Sequence, residues 1–458
     1  MTRFLFVDIL ANQVPLFAHL ARAMRELGAE VQFAGIDDAK AHLLLRTLRE
    51  PIQFGRNFGI RHPSPLSSEE LEESIREHWE VNRTGVEDSY FHRYLLKHAE
   101  RVSGLLDHLL EHQKVDAIVV WNGLTGAGRL AVELARRRAL SIWFFENGFF
   151  PGTLQCDPQG INFQNSISSI PGEAFDSIEI DSPRFQTFLE NLRANRPADF
   201  QYRSDMSERQ AAKFRLTLLK LRRADYLEWL PQWRRHLRLR ATIYPPPGNR
   251  PQVSGQLPLT EPYILVPLQV NNDTQIRVYS PNVPDMSTLI AAVYEAWREL
   301  DHPKIRLAVK EHPAELTRID YTAIRRRYPD IYWIEAGPTQ EWLSHAEVVV
   351  TINSTAGVEA LALNRPVVTL GEAFYNKDGI IFHCKELTQL RSQLGEALRK
   401  PLPKERIEKF IYFLRFQYLI EGSWRNWSDD TIKTTAHRLL GAQIPFFAPQ
   451  KPAAPPVG

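Results

Sequence analysis

Residues 4–36 read FLFVDILANQVPLFAHLARAMRELGAEVQFAGI, and the fold class is predicted from them. Phe4–Leu10 is a short apolar run, typical of a parallel strand buried on both faces. Leu16–Leu27 has apolar residues at helical spacing, and Gly28 suits the end of that helix. Val31–Ile36 is a second strand. A strand–helix–strand opening predicts a parallel sheet covered by helices.

The same alternation continues along the chain. Further strand-like runs, each followed by a loop and in most cases by a helical segment, are Val115–Trp121, Ser141–Phe145, Tyr263–Gln269, Ile305–Lys310 and Glu347–Ile352. A chain of 458 residues suffices for two domains of ordinary size. We therefore predict an α/β protein with two Rossmann-like domains facing a cleft. This is the GT-B-like arrangement, here with an extra helical insert and a C-terminal helix that crosses back.

Changes in composition set the predicted boundaries. Residues 151–200 are turn-rich and poorly periodic, and Pro245-Pro246-Pro247 marks a linker. The predicted parts are an N-terminal domain at 1–200, a basic helical insert and linker at 201–260, a C-terminal domain at 261–400, helices packing back on the first domain at 401–440, and a disordered Pro/Ala-rich tail at 441–458.

Composition indicates a soluble globular protein. The hydrophobic fraction is 43%, the charged fraction is 24% and the formal net charge is +2, which disfavours general nucleic-acid binding. Cys156 and Cys384 have no metal-ligand spacing, so we expect free thiols in a reducing compartment. No apolar run approaches the ~18–20 residues of a membrane span, and signal-peptide features are missing. We expect a cytoplasmic protein; a peripheral membrane position stays open.

One segment is strongly basic. Residues 202–240 carry 11 Lys and Arg against 4 Asp and Glu. A basic helix with Trp and Leu on its other face suits an anionic membrane surface or a lipid phosphate. The candidate membrane or lipid contacts are Arg222, Arg223, Trp229, Arg234 and Arg235. A solvated helix packed on the domain remains the alternative. Nucleic acid is disfavoured because no recognised motif accompanies the charge.

Chemistry is expected in the loops that follow the strands, since ligands of such folds bind at the carboxyl ends of the sheet. In TINSTAGVEA, residues 351–360, Ser354 and Thr355 begin a helix whose amides and dipole favour an anion. Gly357 would let a phosphate or ribose approach the backbone. A plain N-cap is the alternative, but the neighbouring candidate loop favours a phosphate site.

Two further loops carry candidate groups. His312, fixed by Pro313, can donate a hydrogen bond to a departing nucleotide phosphate, or it is a structural turn histidine. Asp273 can attack an anomeric carbon or orient an acceptor hydroxyl, or it is a turn aspartate. In the first domain, Glu146 is a candidate acid/base or a clamp on acceptor hydroxyls. Further candidate donor or acceptor residues in the cleft are Gln269, Gln275, Lys310 and Asn147.

Residues 353–375, NSTAGVEALALNRPVVTLGEAFY, resemble the signature of the capsule polysaccharide biosynthesis family. Its members include the KpsC and KpsS type transferases of 3-deoxy-manno-octulosonic acid (Kdo). The segments LQVNNDTQI, KEHPAE and ENGFF…INFQNS also resemble that family. The single-module length is closer to the KpsS type.

The resemblance implies a GT-B-like glycosyltransferase that moves Kdo, or a related acidic sugar, from CMP-Kdo to a lipid or glycolipid acceptor. It implies retention of configuration, no metal and no cofactor beyond the donor, and work at the cytoplasmic membrane face, with other capsule-assembly proteins as partners. Asp273 would be the catalytic carboxylate and Glu146 its acid/base partner. The residues implied at the nucleotide are His312, Pro313, Asn353, Ser354, Thr355, Gly357 and Glu359.

Alternatives remain at the level of function. Another GT-B-like activity, a UDP-sugar transferase or epimerase, would use the same cleft, and a non-catalytic scaffold in capsule assembly or export would keep the fold alone. The loop reads Glu146-Asn147-Gly148 where the family pattern leads us to expect a second acidic residue or Glu-Gly. The division of nucleophile and acid/base between Asp273 and Glu146 therefore stays open.

Overall fold

The chain folds into two compact α/β units, described by a computed structural model. The structure describes residues 1–36, 39–53, 62–81, 89–124, 126–195, 260–271, 273–302, 304–313, 315, 319–335, 337–401 and 403–441. Among these, the first unit holds the residues up to 161 and those from 418 onward, and the second holds those between 162 and 417. The predicted fold class, with two Rossmann-like domains, is confirmed. The basic insert, with Arg222, Arg223, Trp229, Arg234 and Arg235, lies outside the described residues, as does the tail from 442.

The strands follow one another in chain order. They are β1 Arg3–Val7, β2 Glu30–Ala34, β3 Ile52–Gln53, β4 Ala117–Trp121, β5 Ser141–Asn147, β6 Thr153–Asp157, β7 Tyr263–Pro267, β8 Arg306–Lys310, β9 Tyr332–Ile334, β10 Val348–Thr351, β11 Val367–Thr369, β12 Phe382–His383 and β13 Ile420–Glu421.

The helices lie between these strands and after them. They are α1 Val14–Glu26, α2 Ala39–Thr47, α3 Ser68–Val81, α4 Ser89–His112, α5 Gly126–Arg137, α6 Ser182–Arg193, α7 Thr274–Tyr279, α8 Met286–Arg298, α9 Thr322–Arg327, α10 Thr339–His345, α11 Thr355–Ala362, α12 Leu390–Arg399, α13 Lys404–Phe413 and α14 Asp429–Leu439. A π-helical turn, Leu414–Tyr418, follows α13.

The first sheet is covered on both faces. Its order is β13-β6-β5-β4-β1-β2-β3. Strands β1 to β5 pair in parallel, whereas β6 pairs antiparallel with both β5 and β13. Phe4 and Phe6 pack into one core with α1, while Leu5 and Val7 pack into the other with α4 and α5. Side chains alternate across a strand, so the continuous apolar run of β1 supplies both cores.

Residues 151–195 are more ordered than the sequence indicated. They include β6 and α6, and residues 162–195 belong with the second unit rather than with the predicted N-terminal domain. The sequence of β6, TLQCD, alternates polar and apolar residues although all five are buried. Hydrogen bonds satisfy the polar side chains, as when Gln155 Nε2 donates to the Asn147 carbonyl at 2.7 Å. Such alternation is typical of a strand exposed on one face, so hydropathy alone does not reveal that both faces are buried.

The second sheet is a doubly wound sheet of six described parallel strands. Its order is β12-β11-β10-β7-β8-β9. Counted within the unit, this is the strand order of dinucleotide-binding folds, which reverses direction between β7 and β10. Helices α8 and α12 cover the face that carries Val266, Val309 and Val350. Helix α11 packs on β10 and β11 outside that core and contacts α10 and α13.

The chain returns to the first unit at its C-terminal end. β13 pairs with β6, and α14 packs on α1, as predicted for the C-terminal helix. Tyr418 Oη donates to Asp157 Oδ2 at 2.9 Å, and Arg438 Nη1 donates to the Tyr418 carbonyl at 2.5 Å. The return begins at residue 418, because α13 stays in the second unit.

Two features are absent from the described residues. No described helix combines the length and apolar character that a bilayer crossing requires. Within the same residues, no group of three or more His, Cys, Asp or Glu side chains is arranged to hold a metal ion.

Candidate functional site

The carboxyl ends of β7 and β10 are joined by a buried hydrogen bond. Gln269 Nε2 donates to Asn353 Oδ1 at 3.0 Å, and the Asn353 backbone N–H and Thr351 Oγ1 both donate to Gln269 Oε1 at 3.3 Å. Asn353 Nδ2 donates to the Gln275 carbonyl at 2.8 Å. This frame spans the point where the strand order reverses, which is where ligands of such sheets bind. Gln269 and Asn353, predicted as ligand contacts, thus hold the site together.

Helix α11 starts at this frame. Ser354 is its N-cap, with Oγ accepting from the Ala356 backbone N–H at 3.2 Å. Tyr375 Oη donates to the Ser354 carbonyl at 2.6 Å, and Thr355 is exposed at the first helical position. The N-cap alternative is therefore realised. The N–H groups of Ser354, Ala356 and Gly357 already have acceptors. An anion is not excluded, because the N–H of Thr355 and the positive end of the helix dipole remain.

The structure explains the glycine at position 357 differently from the sequence prediction. A Cβ at this position would lie 2.5 Å from Tyr375 Oη and 2.9 Å from its Cζ. Tyr375 is fully buried, and burial raises the pKa of its phenol well above the ordinary value. The glycine is therefore required by the tyrosine that holds the start of α11. No approach of a ligand is needed to explain it.

Lys310 ends β8 and is a buried cation. It is 2% exposed, and burial lowers the pKa of its ammonium, with the nearby Glu311 carboxylate acting in the opposite direction. Among the described residues, no hydrogen bond or ion pair to this ammonium is found, whereas Glu311 pairs with Arg325. Because Leu307 and Val309 face the core under α8, strand alternation places Lys310 on the opposite face. By the same alternation, Gln269 and Thr351, which are hydrogen-bonded to each other, lie on the face that carries Lys310.

His312 lies in the turn that follows Lys310. It is half-buried, and its carbonyl accepts a hydrogen bond from the Glu315 backbone N–H at 2.9 Å. Pro313, the next residue, is exposed. One strand, β7, separates β8 from β10, so the backbones before His312 and Ser354 are two strand spacings apart, about 10 Å. The phosphate role of His312 stays a prediction.

Asp273 is the N-cap of α7, at the end of the loop that follows β7. Its Oδ1 accepts from the Gln275 backbone N–H at 3.0 Å. The local bond expected of a turn aspartate is thus present, and it fixes the carboxylate near the point of strand reversal. Gln275 contributes its backbone carbonyl to Asn353. The catalytic role of Asp273 stays a prediction.

Glu359 lies on α11 and faces α10. Gln340 Nε2 donates to Glu359 Oε2 at 2.8 Å. Burial raises the pKa of Glu359 to about 7, and the hydrogen bond from Gln340 acts against that rise. Near neutral pH this carboxyl therefore exists in both protonation states, so it can both donate and accept hydrogen bonds.

The first unit places Glu146 at the end of β5. Glu146 Oε1 accepts from the Asn147 backbone N–H at 2.8 Å, and Oε2 accepts from Asn122 Nδ2 at 3.4 Å. Asn122 and Asp8 follow β4 and β1, where the order of the first sheet reverses, and both have left-handed backbone, with φ of 60° and 53°. Neither Asn122 nor Asp8 was among the predicted site residues, although each is a polar residue directly after a strand.

The structure therefore divides the predicted site residues. Those gathered at the carboxyl ends of β7, β8 and β10 are Gln269, Asp273, Gln275, Lys310, His312, Pro313, Asn353, Ser354 and Thr355. Gly357 and Glu359 follow on α11, and Glu146 and Asn147 lie in the first unit. Tyr375, on the loop after β11, was missed as a contributor, although it ends the signature stretch noted in the sequence.

Comparison with known proteins shows which family this chain resembles. Residues 248–400 match the family model "Capsule polysaccharide biosynthesis protein". FixF of Sinorhizobium fredii is 30% identical over 328 residues, covering 70% of this chain and 65% of FixF. The capsule polysaccharide modification protein LipB of Neisseria meningitidis is 24% identical, over 60% of this chain and 68% of LipB. The chain thus spans slightly less than two thirds of FixF.

A solved structure is also similar. KpsC of Thermosulfurimonas dismutans, described as a β-Kdo 2,4 transferase, aligns with a TM-score of 0.43 and 18% identity, over 70% of this chain and 87% of that chain. The resemblance to the capsule polysaccharide biosynthesis family, noted in the sequence, is confirmed by the family match and by LipB.

The contact between Gly357 and Tyr375 yields a test. Gly357→Ala should lower the free energy of unfolding by about 1–3 kcal/mol, because the added methyl group overlaps the tyrosine. The same substitution should cost less in a Tyr375→Phe background, where the clashing oxygen is gone. Urea denaturation of the two single variants and the double variant measures this coupling. Additive effects would show that the overlap is not the cause.

Glu359 predicts a pH dependence. Its folded-state pKa of about 7 lies above the ordinary 4.5, so the folded state binds the proton more tightly. This contribution to stability is complete below pH 4.5 and is lost as the pH rises through 7. Glu359→Gln should therefore flatten the decline in stability between pH 5 and 8, by about 1–2 kcal/mol. Urea midpoints across that range measure it, with exposed Glu341→Gln as the control. An unchanged slope in Glu359→Gln would contradict the assignment.

Proposed function

We propose, from the confirmed resemblance to capsule polysaccharide biosynthesis proteins, that this protein is a glycosyltransferase. It would transfer Kdo, or a related acidic sugar, from its CMP-linked form to a lipid or glycolipid acceptor. The second unit would bind the donor at the carboxyl ends of β7, β8 and β10. The acceptor would be met at the inner face of the cytoplasmic membrane, with the protein held there peripherally.

One observation carries this proposal: a buried cation and a helix start lie at the same sheet edge. A buried ammonium that forms no ion pair is costly, and a bound phosphate would supply one. The N–H of Thr355, the first residue of α11, would donate to the same anion at the positive end of the helix dipole. Lys310 and the N–H and hydroxyl groups of Thr355 together suit the phosphate of a nucleotide, the group that leaves during glycosyl transfer.

The other candidate residues are assigned roles in the transfer reaction according to their charge. Asp273 would attack the anomeric carbon as the bond to the CMP phosphate oxygen breaks, and His312 would stabilise the departing phosphate. An acceptor hydroxyl would then displace the carboxylate, so that two inversions give net retention. Glu146 is the candidate base for the proton of that hydroxyl. Glu359, deeper on α11, would contact the ribose or base.

The donor assignment is tested directly. The protein is incubated with anionic phospholipid vesicles and, in separate reactions, CMP-Kdo, CMP-linked sialic acid and a panel of UDP-sugars. We expect a lipid product heavier by one Kdo residue from the CMP-Kdo reaction, detected by mass spectrometry. Product from UDP-sugars alone would show that the donor is a UDP-sugar and not CMP-Kdo. Nucleotide binding without any product would indicate a scaffold.

Asp273→Asn separates the two roles of this residue. Asparagine is as good an N-cap as aspartate, so the free energy of unfolding should change by no more than a few tenths of a kcal/mol, while turnover falls by about 10³-fold or more. Asp285→Asn is the matched control, because Asp285 caps α8 in the same way, with Oδ1 accepting from the Thr288 N–H at 2.7 Å. Thermal unfolding and product formation are measured for both. Retained turnover in Asp273→Asn would reject the nucleophile.

A further inference from the structure

Lys377 is a second buried lysine of the second unit, and its ammonium has unusual partners. It is 5% exposed, and its Nζ donates to the carbonyls of Ile170 at 2.6 Å, Ile167 at 2.9 Å and Ser168 at 3.4 Å. Among the described residues, no carboxylate forms an ion pair with it. Three carbonyls use all three protons of the ammonium. The interaction therefore closes a contact across more than 200 residues of chain.

The two segments that Lys377 joins are both attached to the candidate site. Its own loop, 371–378, contains Tyr375, which holds the Ser354 carbonyl at the start of α11. The loop is braced internally, with Asn376 Nδ2 donating to the Gly371 carbonyl at 2.9 Å and Thr369 Oγ1 donating to Asn376 Oδ1 at 2.8 Å. Lys377 therefore projects from a fixed base two residues beyond the tyrosine.

The segment on the other side, 162–170, also reaches the frame of the site. The ring of Phe163 lies 5.6 Å from that of Tyr279, centroid to centroid. The Tyr279 carbonyl in turn accepts from the backbone N–H of Glu372 at 2.7 Å and from Asn353 Nδ2 at 3.5 Å. Just beyond the segment, Gly172 passes so close to loop 371–378 that a Cβ would lie 2.7 Å from the Asp378 carbonyl oxygen.

The chemistry of segment 162–170, NFQNSISSI, suits a sugar. It carries amides and hydroxyls and no charged side chain, and these groups donate to and accept from sugar hydroxyls. Gln164 and Ser169 are exposed, whereas Asn165 is buried and caps the turn, with Oδ1 accepting from the backbone N–H groups of Ile167 and Ser168 at 3.1 Å. A turn of this kind presents its exposed polar groups in a fixed arrangement.

We infer that Lys377 is a positioning residue of the donor site, because its ammonium fixes segment 162–170 as a polar wall for the sugar beside the start of α11. The inference rests on the proposed function and adds to it a wall that the strand-end loops do not supply. Burial lowers the pKa of Lys377 to about 8, in keeping with an ammonium that has neutral partners alone. The neutral amine has two protons for three carbonyls, so segment 162–170 loses one hydrogen bond from Lys377 when the ammonium is deprotonated.

The experiment compares Lys377→Met, Lys377→Arg and Lys409→Met with the wild type. Lys409 is the control, since its Nζ donates to one carbonyl, that of Asp176, at 2.7 Å and pairs with the exposed Glu405 carboxylate at 2.9 Å, so it does not bridge several carbonyls. CMP and CMP-Kdo binding are measured by calorimetry, and exchange of the amides of 162–172 by hydrogen–deuterium exchange. We expect Lys377→Met to bind CMP-Kdo about tenfold or more weaker, with a smaller change for CMP and faster exchange in the segment. Lys377→Arg should recover part of the loss, and Lys409→Met should resemble the wild type.

The outcomes separate this inference from the proposed function. A wild type that binds neither CMP nor CMP-Kdo overturns both. Unchanged CMP-Kdo affinity in a folded Lys377→Met protein overturns the positioning role and leaves the function standing. If Lys377→Met does not fold, the test is hydrogen–deuterium exchange of the wild type with each ligand. Stronger protection of 162–170 by CMP-Kdo than by CMP supports the wall, and equal protection by the two ligands rejects it.

Discussion

The hydrogen bond between Gln269 and Asn353 is the interaction on which the candidate site depends. It joins the ends of β7 and β10 where the strand order reverses, and both residues are buried. A buried amide left unpaired there would cost about 1–3 kcal/mol, so the two strand ends are held in one register. Asn353 extends the constraint to α7 through the Gln275 carbonyl, and Tyr375 extends it to the start of α11. The loops at this edge follow from the need to satisfy buried polar groups.

The parts of this arrangement that local patterns govern were predictable. The apolar run Phe4–Val7 alternates between two cores, so its composition alone indicates a strand buried on both faces. Parallel strands joined by helices place all their following loops at one edge. Ser354 before an apolar segment marks a helix start. The fold class and the edge that carries the site residues follow from these short-range signals.

What the sequence did not reveal depends on partners distant in the chain. Strand β6 pairs with residues near 420, and its polar side chains are buried although their alternation with apolar residues suggests a face exposed to solvent. Gly357 is explained by Tyr375, and Lys377 finds its carbonyls more than 200 residues earlier. From the sequence, Gly357 was predicted to leave room for a ligand, because a ligand is the simplest explanation for a glycine or a polar residue near a strand end. The structure supplies a second reason, the support of neighbouring loops.

This distinction sharpens which groups remain for chemistry. Gln269, Asn353 and the Ser354 hydroxyl are engaged in the frame. This leaves the cation of Lys310, the N–H and hydroxyl groups of Thr355, and the positive end of the α11 dipole for an anion. A site with fixed donors loses little free energy to reorganisation when charge develops on a leaving group. Asp273 fits the same logic, since the amide that makes it an N-cap also fixes the direction of its carboxylate. Its structural role is therefore a condition for the catalytic role, because a nucleophile must already lie in the direction of attack when the donor binds.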